Sequence, residues 1–373
     1  MLIDQNLRFF MVAGEESGDL HGAKLINAIK KKSPSAEFIG HGGEKMKSAG
    51  MEILEHVNNL AMMGFTEVIK HIPFMMKVMG KTLNEILEFK PHRLILIDYP
   101  GFNLRLAKKV HLLGLPITYF ILPQVWAWKE NRVNTIRECV DQALCIFPFE
   151  QAWFQKRGID ADFVGHPFAE FQKPSMDKST FFKKHNMDNN KSILVLFPGS
   201  RQQEVDRHLP VFIKAVSLIN DNHLQIIIGK APQIKLGELP KGWKVETDDT
   251  RLCLEYGTAV ITSSGTATLQ SAVQDIPAVV CYKMSVGSWF LAKKLSHAPY
   301  AAMTNLIAER KIVPEFLQQE MTPKHLADAI NPLLKQTPQR KEMLLGYEEV
   351  RRTLGLPGVY ERAAEAIISR MFQ

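Results

Sequence analysis

Ile193-Leu194-Val195-Leu196-Phe197-Pro198-Gly199-Ser200-Arg201-Gln202-Gln203-Glu204-Val205 passes from five apolar residues, through a proline–glycine turn, into a polar start with helical character. An apolar run of that length, bounded by turn residues, reads as a strand buried on both faces, the habit of parallel sheets. Parallel strands need helical crossovers, so the segment reads as one strand–helix unit. Similar runs stand at 9–13, 94–97, 117–121 and 144–147 before it and at 224–228, 259–262 and Ala278–Tyr282 after it. The alternation predicts an α/β protein with two doubly wound parallel sheets.

The two groups of runs are separated by a polar stretch containing Lys173-Pro174-Ser175 and Met187-Asp188-Asn189-Asn190-Lys191. We read 1–168 as a first domain, 169–192 as a linker with one short helix near 178–184, 193–345 as a second domain and 346–373 as closing helices. Ligands of such sheets bind beyond the carboxyl ends of the strands, so the expected site is a cleft between two facing halves.

The 373 residues are 46% hydrophobic and 23% charged, which excludes a disordered tail, a collagen-like rod and a disulfide scaffold. A net charge of +7 suggests an anionic partner: a nucleotide, a phospholipid surface or a nucleic acid. Basic residues do not form a stripe interleaved with aromatics, which argues against nucleic acid. The four cysteines form no CxxC and suit a reducing cytoplasm. The first residues lack the apolar core of a secretory signal, and no run of 18 apolar residues predicts a membrane-spanning helix.

Several nucleotide and hydrolase signatures fail. Gly14-Glu15-Glu16-Ser17-Gly18-Asp19 is not GxGxxG, and Gly80-Lys81-Thr82 lacks the earlier glycine of a phosphate loop, where Met75 stands. HExxH and GxSxG are absent, and Asp160-Ala161-Asp162 reads as loop polarity rather than a metal pair. No metal site and no cofactor is expected.

Two strand-to-helix junctions carry the chemistry of the second half. At Pro198-Gly199-Ser200-Arg201, Gly199 lets the backbone approach a ligand, the helix start offers free N–H groups to an anion, and Arg201 adds a forked charge suited to phosphate oxygens. At Ser263-Ser264-Gly265-Thr266, Ser264 reads either as a plain N-cap or as part of a second anion site. A diphosphate held by two helix starts and an arginine needs no metal.

The first half offers a complement. Asp98 ends the run Leu94-Ile95-Leu96-Ile97 and reads either as a turn aspartate or as a cleft carboxylate whose partial burial tunes it toward a base. Trp126 and Trp128 stand beside Lys129 and Arg132, a grouping that suits a sugar face or a phosphate and also occurs in plain core. From 61 to 79, Met62, Met63, Phe65 and further apolar residues are interrupted by lysines, which suits either an acyl-chain surface or a core helix pair.

With these residues the chain resembles the lipid-A-disaccharide synthase family, membrane-associated glycosyltransferases of the GT-B fold. The resemblance rests on Val12-Ala13-Gly14-Glu15-Glu16-Ser17-Gly18-Asp19, Ile97-Asp98-Tyr99-Pro100-Gly101-Phe102-Asn103, Val125-Trp126-Ala127-Trp128 and Phe147-Pro148-Phe149-Glu150. It continues through Val164-Gly165-His166-Pro167, Pro198-Gly199-Ser200-Arg201, Ser264-Gly265-Thr266-Ala267 and Asn305-Leu306-Ile307-Ala308, in order along almost the whole chain.

The resemblance implies two facing Rossmann-like domains, the first for acceptor and membrane, the second for UDP-sugar. It implies transfer from UDP-2,3-diacylglucosamine to 2,3-diacylglucosamine 1-phosphate (lipid X), with inversion, a β-1′,6 link and release of UDP. Asp98 is then the base for the acceptor hydroxyl and Arg201 the diphosphate contact. Gly199, Ser200, Ser264, Gly265, Thr266 and Gln270 surround the nucleotide, with Asn305, Glu315 and Gln318 in the donor segment. Glu16, Ser17 and Asp19 form the first loop, and Met62, Met63, Phe65, Trp126, Lys129 and Arg132 fall to acceptor and lipid. The enzyme is expected as a homodimer whose C-terminal segment crosses between subunits, peripheral on the inner membrane of a Gram-negative-type bacterium.

The chain departs from the family pattern at Gly101 (often a second aspartate), Leu122 and Gln124 (often serines), Gln270 (often glutamate) and Glu309 (often glycine). Two other readings stay open: a UDP-sugar 2-epimerase or soluble sugar transferase on the same fold, and a nucleotide-sugar-binding regulator without catalysis.

Overall fold

A computed structural model describes residues 6–60, 65–171, 174, 176–295 and 298–372, the side chains of 65–72 and 291–295 excepted. The chain forms two compact units, Met1–Glu170 joined by Gly355–Gln373, and Phe171–Leu354.

The first unit holds seven strands: β1 (Arg8–Ala13), β2 (Glu37–Gly42), β3 (Glu52–His56), β4 (Arg93–Ile97), β5 (Ile117–Phe120), β6 (Gln142–Cys145) and β7 (Ala161–Phe163). They pair in the order β3-β2-β1-β4-β5-β6-β7, parallel throughout. The second unit holds β8 (Ser192–Phe197), β9 (Leu224–Gly229), β10 (Lys244–Glu246), β11 (Ala259–Ser263), β12 (Ala278–Tyr282) and β13 (Glu315–Leu317). These pair in the order β10-β9-β8-β11-β12-β13, again all parallel. Each sheet therefore runs outward in both directions from a central pair, β1/β4 or β8/β11, the doubly wound arrangement with its order reversing at one point.

The central strands are apolar because helices cover both faces. Phe9 to Ala13, Leu94 to Ile97 and Leu194 to Leu196 are fully buried. The eight runs expected from sequence all form strands within two residues of their expected bounds. The strands that periodicity did not reveal, β2, β3, β7, β10 and β13, carry glycine, histidine or charges; four of them are sheet edges and β2 lies next to one. Helix Lys178–His185, expected near 178–184, buries Phe181 and Phe182 in the second unit's core.

The closing segment divides. Helix Pro338–Thr353 packs in the second unit, while helix Val359–Ser369 lies on the first unit of its own chain. Glu170 accepts hydrogen bonds from the amides of Gly358 and Val359, satisfying that helix's free N–H groups. Arg93 on β4, Thr118 on β5 and Gln142 on β6 form a buried polar chain that donates to the carbonyls of Arg370 (3.2 Å) and Ala366 (2.9 Å) at its other end.

Glu309 ends helix Met303–Ala308 with a φ of +54°. Only glycine adopts that conformation freely, which fits the glycine that the family resemblance leads one to expect at this position. The Glu309 side chain is exposed. Replacing it removes the steric strain, so Glu309→Gly is expected to raise stability by about 1 kcal/mol, read as a shift in urea midpoint.

Candidate active site

Strand ends are left uncovered where a doubly wound sheet reverses its order, because the helices that follow the two central strands leave to opposite faces. In the first unit those ends carry Gly14 to Glu16 after β1 and Asp98–Tyr99 after β4. In the second unit they carry Pro198 to Arg201 after β8 and Ser264 to Thr266 after β11. Four of the loops singled out by sequence thus lie at the two reversal points, while the segment carrying Trp126, Trp128, Lys129 and Arg132 follows β5.

Asp98 and Tyr99 both take left-handed backbone angles, φ +43° and +49°, before Pro100 opens helix Pro100–His111. Gly14 leaves room for this turn: a Cβ there would lie 2.2 Å from Cγ of Tyr99. Asp98 is half-buried at the edge of a cavity of about 340 Å³, also lined by Leu122, Gln124, Trp128, Arg132 and Phe147. Burial, helped by the nearby Glu15 carboxylate, pushes its pKa up to about 6, against the pull of the Tyr99 amide. Two further residues nearby take left-handed angles, Ile121 in the cavity wall with φ +60° and Lys129, next to the wall residue Trp128, with φ +58°. Such clustering is typical of functional sites.

The cavity wall is braced from behind. Glu150, completely buried at the start of helix Pro148–Gln155, accepts from the Trp126 indole at 2.9 Å and from the amides of Phe147 (3.1 Å) and Ile146 (3.3 Å). Burial raises its pKa to about 7, against the effect of those three donors. Trp126 is accordingly a buried wall element, and the tryptophan that lines the cavity is Trp128. Leu122 and Gln124, two of the departures from the family pattern, stand in the same wall. At Gly101 an added Cβ meets nothing within 4 Å, so the position has room for a larger side chain.

Other first-unit residues separate by role. Glu16 and Ser17 are exposed in the first turn of helix Glu16–Lys32. Asp19 is buried, its carboxylate accepting from the amides of Gly43 (2.7 Å), Met46 (2.9 Å) and Lys45 (3.1 Å), and it acts as an internal cap. Lys129 is exposed and Arg132 half-buried. Met62 and Met63 lie outside the described residues, as does the side chain of Phe65. Further along helix Phe65–Phe89, Phe74, Met75, Val78 and Met79 pack on the core while Met76 is exposed.

In the second unit Gly199 has φ +139°, and a Cβ there would strike Cβ of Glu204 at 2.5 Å. Glu204 curls back to accept from the amides of Ser200 (3.1 Å) and Arg201 (3.4 Å) and from the Tyr282 hydroxyl (3.0 Å). The two amides just before this helix are therefore engaged by the protein's own carboxylate, and the Arg201 guanidinium, two-thirds exposed, pairs with the same Glu204 at 3.6 Å. His208, fully buried, ties this loop to the one after β12: Nδ1 donates to Pro198 O at 2.7 Å and Nε2 accepts from the Lys283 amide at 3.0 Å.

At the other reversal strand, Gly265 (φ +138°) and Thr266 are exposed, and Ser264 donates to Ala301 O at 2.7 Å. Gln270 is half-buried and donates to Gln274. Asn305 is fully buried and uses its amide on Glu315 (2.7 Å), Val313 O (2.9 Å) and the amides of Ile312 (2.7 Å) and Val313 (2.9 Å). Glu315 in turn accepts from the amides of Ala301 and Ala302, both at 2.9 Å. Gln318, with φ +52°, pairs its side-chain amide with the Met284 backbone. These three brace the donor segment from inside, leaving Arg201, Gly265 and Thr266 at the surface.

The residues missed from sequence are Asn103, Tyr119, Glu150, Glu204 and His208. Three had a local signal: Asn103 and Glu150 close two of the quoted family strings, and Glu204 stands three residues after Arg201, the spacing of a capping box.

Solved structures with the same architecture include a kitacinnamycin glycotransferase (13% identity, TM-score 0.66, covering 98% of this chain and 99% of that one). Another is a putative UDP-N-acetylglucosamine 2-epimerase from Listeria monocytogenes (10% identity, TM-score 0.68, 99% and 97%). Together they define the fold class, the two-domain α/β architecture called GT-B, which glycosyltransferases share with a UDP-sugar epimerase.

The family follows from closer matches. Residues 9–367 match the model described as lipid-A-disaccharide synthetase. The lipid-A-disaccharide synthase of Myxococcus xanthus is 36% identical, covering 97% of both chains, and that of Acidobacterium capsulatum is 37% identical, covering 94% of this chain and 92% of the other. This chain belongs to the lipid-A-disaccharide synthase family.

A carboxylate held at a raised pKa is ionised at neutral pH against its surroundings, so it costs stability there. In the folded state Asp98 binds its proton up to about pH 6, while the unfolded carboxylate releases it near the ordinary 3.8. The fold thus loses stability as pH rises through this window. Asp98→Asn is expected to raise unfolding free energy by about 1–2 kcal/mol at pH 8, with the gain vanishing by about pH 4, measured by denaturant titration at both pH values.

Proposed function

We propose that Asp98 is the base and Arg201 the leaving-group contact of an inverting, metal-independent hexosyltransferase that forms the lipid A disaccharide in lipid A biosynthesis. The donor is UDP-2,3-diacylglucosamine and the acceptor 2,3-diacylglucosamine 1-phosphate (lipid X). The observation that carries this reading is the half-buried Asp98, tuned to about 6, sharing one cavity with Arg132 in a chain of this family.

Asp98 takes the proton of the acceptor 6-hydroxyl as that oxygen bonds to the donor's anomeric carbon. The bond from that carbon to the diphosphate breaks on the opposite face, giving the β-1′,6 link and UDP. A pKa near 6 leaves the carboxylate ionised at neutral pH while keeping it more basic than an ordinary aspartate. Arg201 meets the charge that grows on the departing diphosphate. Arg132, with Lys129, is suited to the acceptor phosphate. Gln270 offers the nucleotide a hydrogen bond without the charge of the usual glutamate.

The acyl chains of both substrates favour a bilayer surface, which supports a peripheral seat on the inner membrane. Among the described residues no helix is long and apolar enough to cross a membrane. The family resemblance supports a homodimer, in which the groove that receives Val359–Ser369 would serve a partner's segment equally well.

The test is UDP release from diacylated and deacylated substrate pairs with EDTA present. Release from the acylated pair alone, undiminished by chelator, is expected; release from the deacylated pair, or loss with EDTA, contradicts the reading. Asp98→Ala and Arg201→Ala should each lower turnover about a hundredfold or more. Because the base works only when ionised, kcat should fall about tenfold per pH unit below about 6, and a flat profile down to pH 5 would exclude Asp98.

A further inference from the structure

Asp98 and Tyr99 occupy left-handed backbone angles in succession, and a pair of L-residues keeps such angles only when its surroundings enforce them. Two buried side chains converge here on one atom. Asn103, one turn into helix Pro100–His111, donates from Nδ2 to the carbonyl oxygen of Asp98 at 2.7 Å. The same Nδ2 lies 3.3 Å from Ile97 O and 3.4 Å from Val12 O, the ends of β4 and β1. Tyr119, central in β5, donates its hydroxyl to that same Asp98 oxygen at 2.6 Å. Both side chains are fully buried. By contrast, the Asp98 amide reaches Phe120 O only at 3.4 Å, so the strand ladder holds the turn weakly.

The geometry points to Asn103 and Tyr119 as positioning residues for the reaction: their two donors fix the peptide that carries Asp98 and aim its carboxylate into the cavity. This rests on Asp98 being the base. Neither residue lines the cavity, so their effect runs through Asp98. Hydrogen bonds that only stabilised the fold would not need to meet on the one carbonyl whose neighbouring side chain does the chemistry.

Removing a donor lets the turn relax and the carboxylate regain water. Since burial is the largest cause of its raised pKa, the acid limb of kcat then moves to lower pH. The other charged or titratable groups around Asp98 are Glu15 after β1, Arg132 in the cavity wall, Glu150 behind it and the hydroxyl of Tyr99. None is altered by the substitutions.

The test uses the purified full-length chain with acylated substrates, Tyr119→Phe as the near-isosteric variant, Asn103→Ala as the second, and Asp98→Ala as reference. Tyr119→Phe should lower kcat about tenfold, keep both KM values within about twofold, and shift the acid limb downward; Asn103→Ala should do the same more strongly. If Asn103→Ala fails to fold, Tyr119→Phe alone decides. Unchanged kcat and acid limb in folded Tyr119→Phe, with or without a lower melting temperature, overturns the positioning role while an inactive Asp98→Ala leaves the base assignment standing. Activity in Asp98→Ala overturns both.

Discussion

The order reversal between β1 and β4, and again between β8 and β11, is the constraint on which the rest depends. Everywhere else in a doubly wound sheet, the helix after one strand helps cover the end of the next. At the reversal the two helices part, and the strand ends stand open. Backbone N–H groups, a glycine turn or a lone carboxylate survive there without being packed away. Both units use this opening, and they fill it differently: the first with an acid, the second with a guanidinium and a helix start.

The first unit spends stability to hold its acid. A left-handed turn, a glycine at position 14 that admits the Tyr99 ring, and the buried brace of Glu150 on Trp126 all work toward a carboxylate short of water. Strain and desolvation of this kind are expected where function and stability pull apart. The second unit keeps its loop rigid by a different device. Glu204 binds the amides of Ser200 and Arg201 and pairs with the Arg201 guanidinium, which stays two-thirds exposed; Gly265 and Thr266 at the other turn also remain at the surface. Gly199 is required because any Cβ would meet that glutamate.

Much of this was legible in the amino-acid order. Continuous apolar runs such as Leu94 to Ile97 announce strands buried on both faces, and Asp98, Gly199 and Gly265 stand directly at their ends. Edge strands such as β10 and β13 were not legible, because three mostly half-buried residues are too short a run to carry a periodic signal. Among site residues, the distinction between contact and brace was hidden. Asp19, Trp126, Asn305, Glu315 and Gln318 look like ligands in a motif, yet each spends its polar group on the protein itself. That difference depends on partners far along the chain, which spacing alone does not reveal. Glu309 is the converse case: its left-handed φ suits glycine and marks a strain this chain tolerates.

Before any substrate arrives, burial in the fold keeps the Asp98 carboxyl protonated to a higher pH than a solvated aspartate. Carbon-13 NMR of the side-chain carboxyls of the free protein, with the Asp98 resonance assigned by its loss in Asp98→Asn, measures this directly. A titration midpoint at about 6 is expected. A midpoint near 3.8, the value of an unperturbed aspartate, would contradict it.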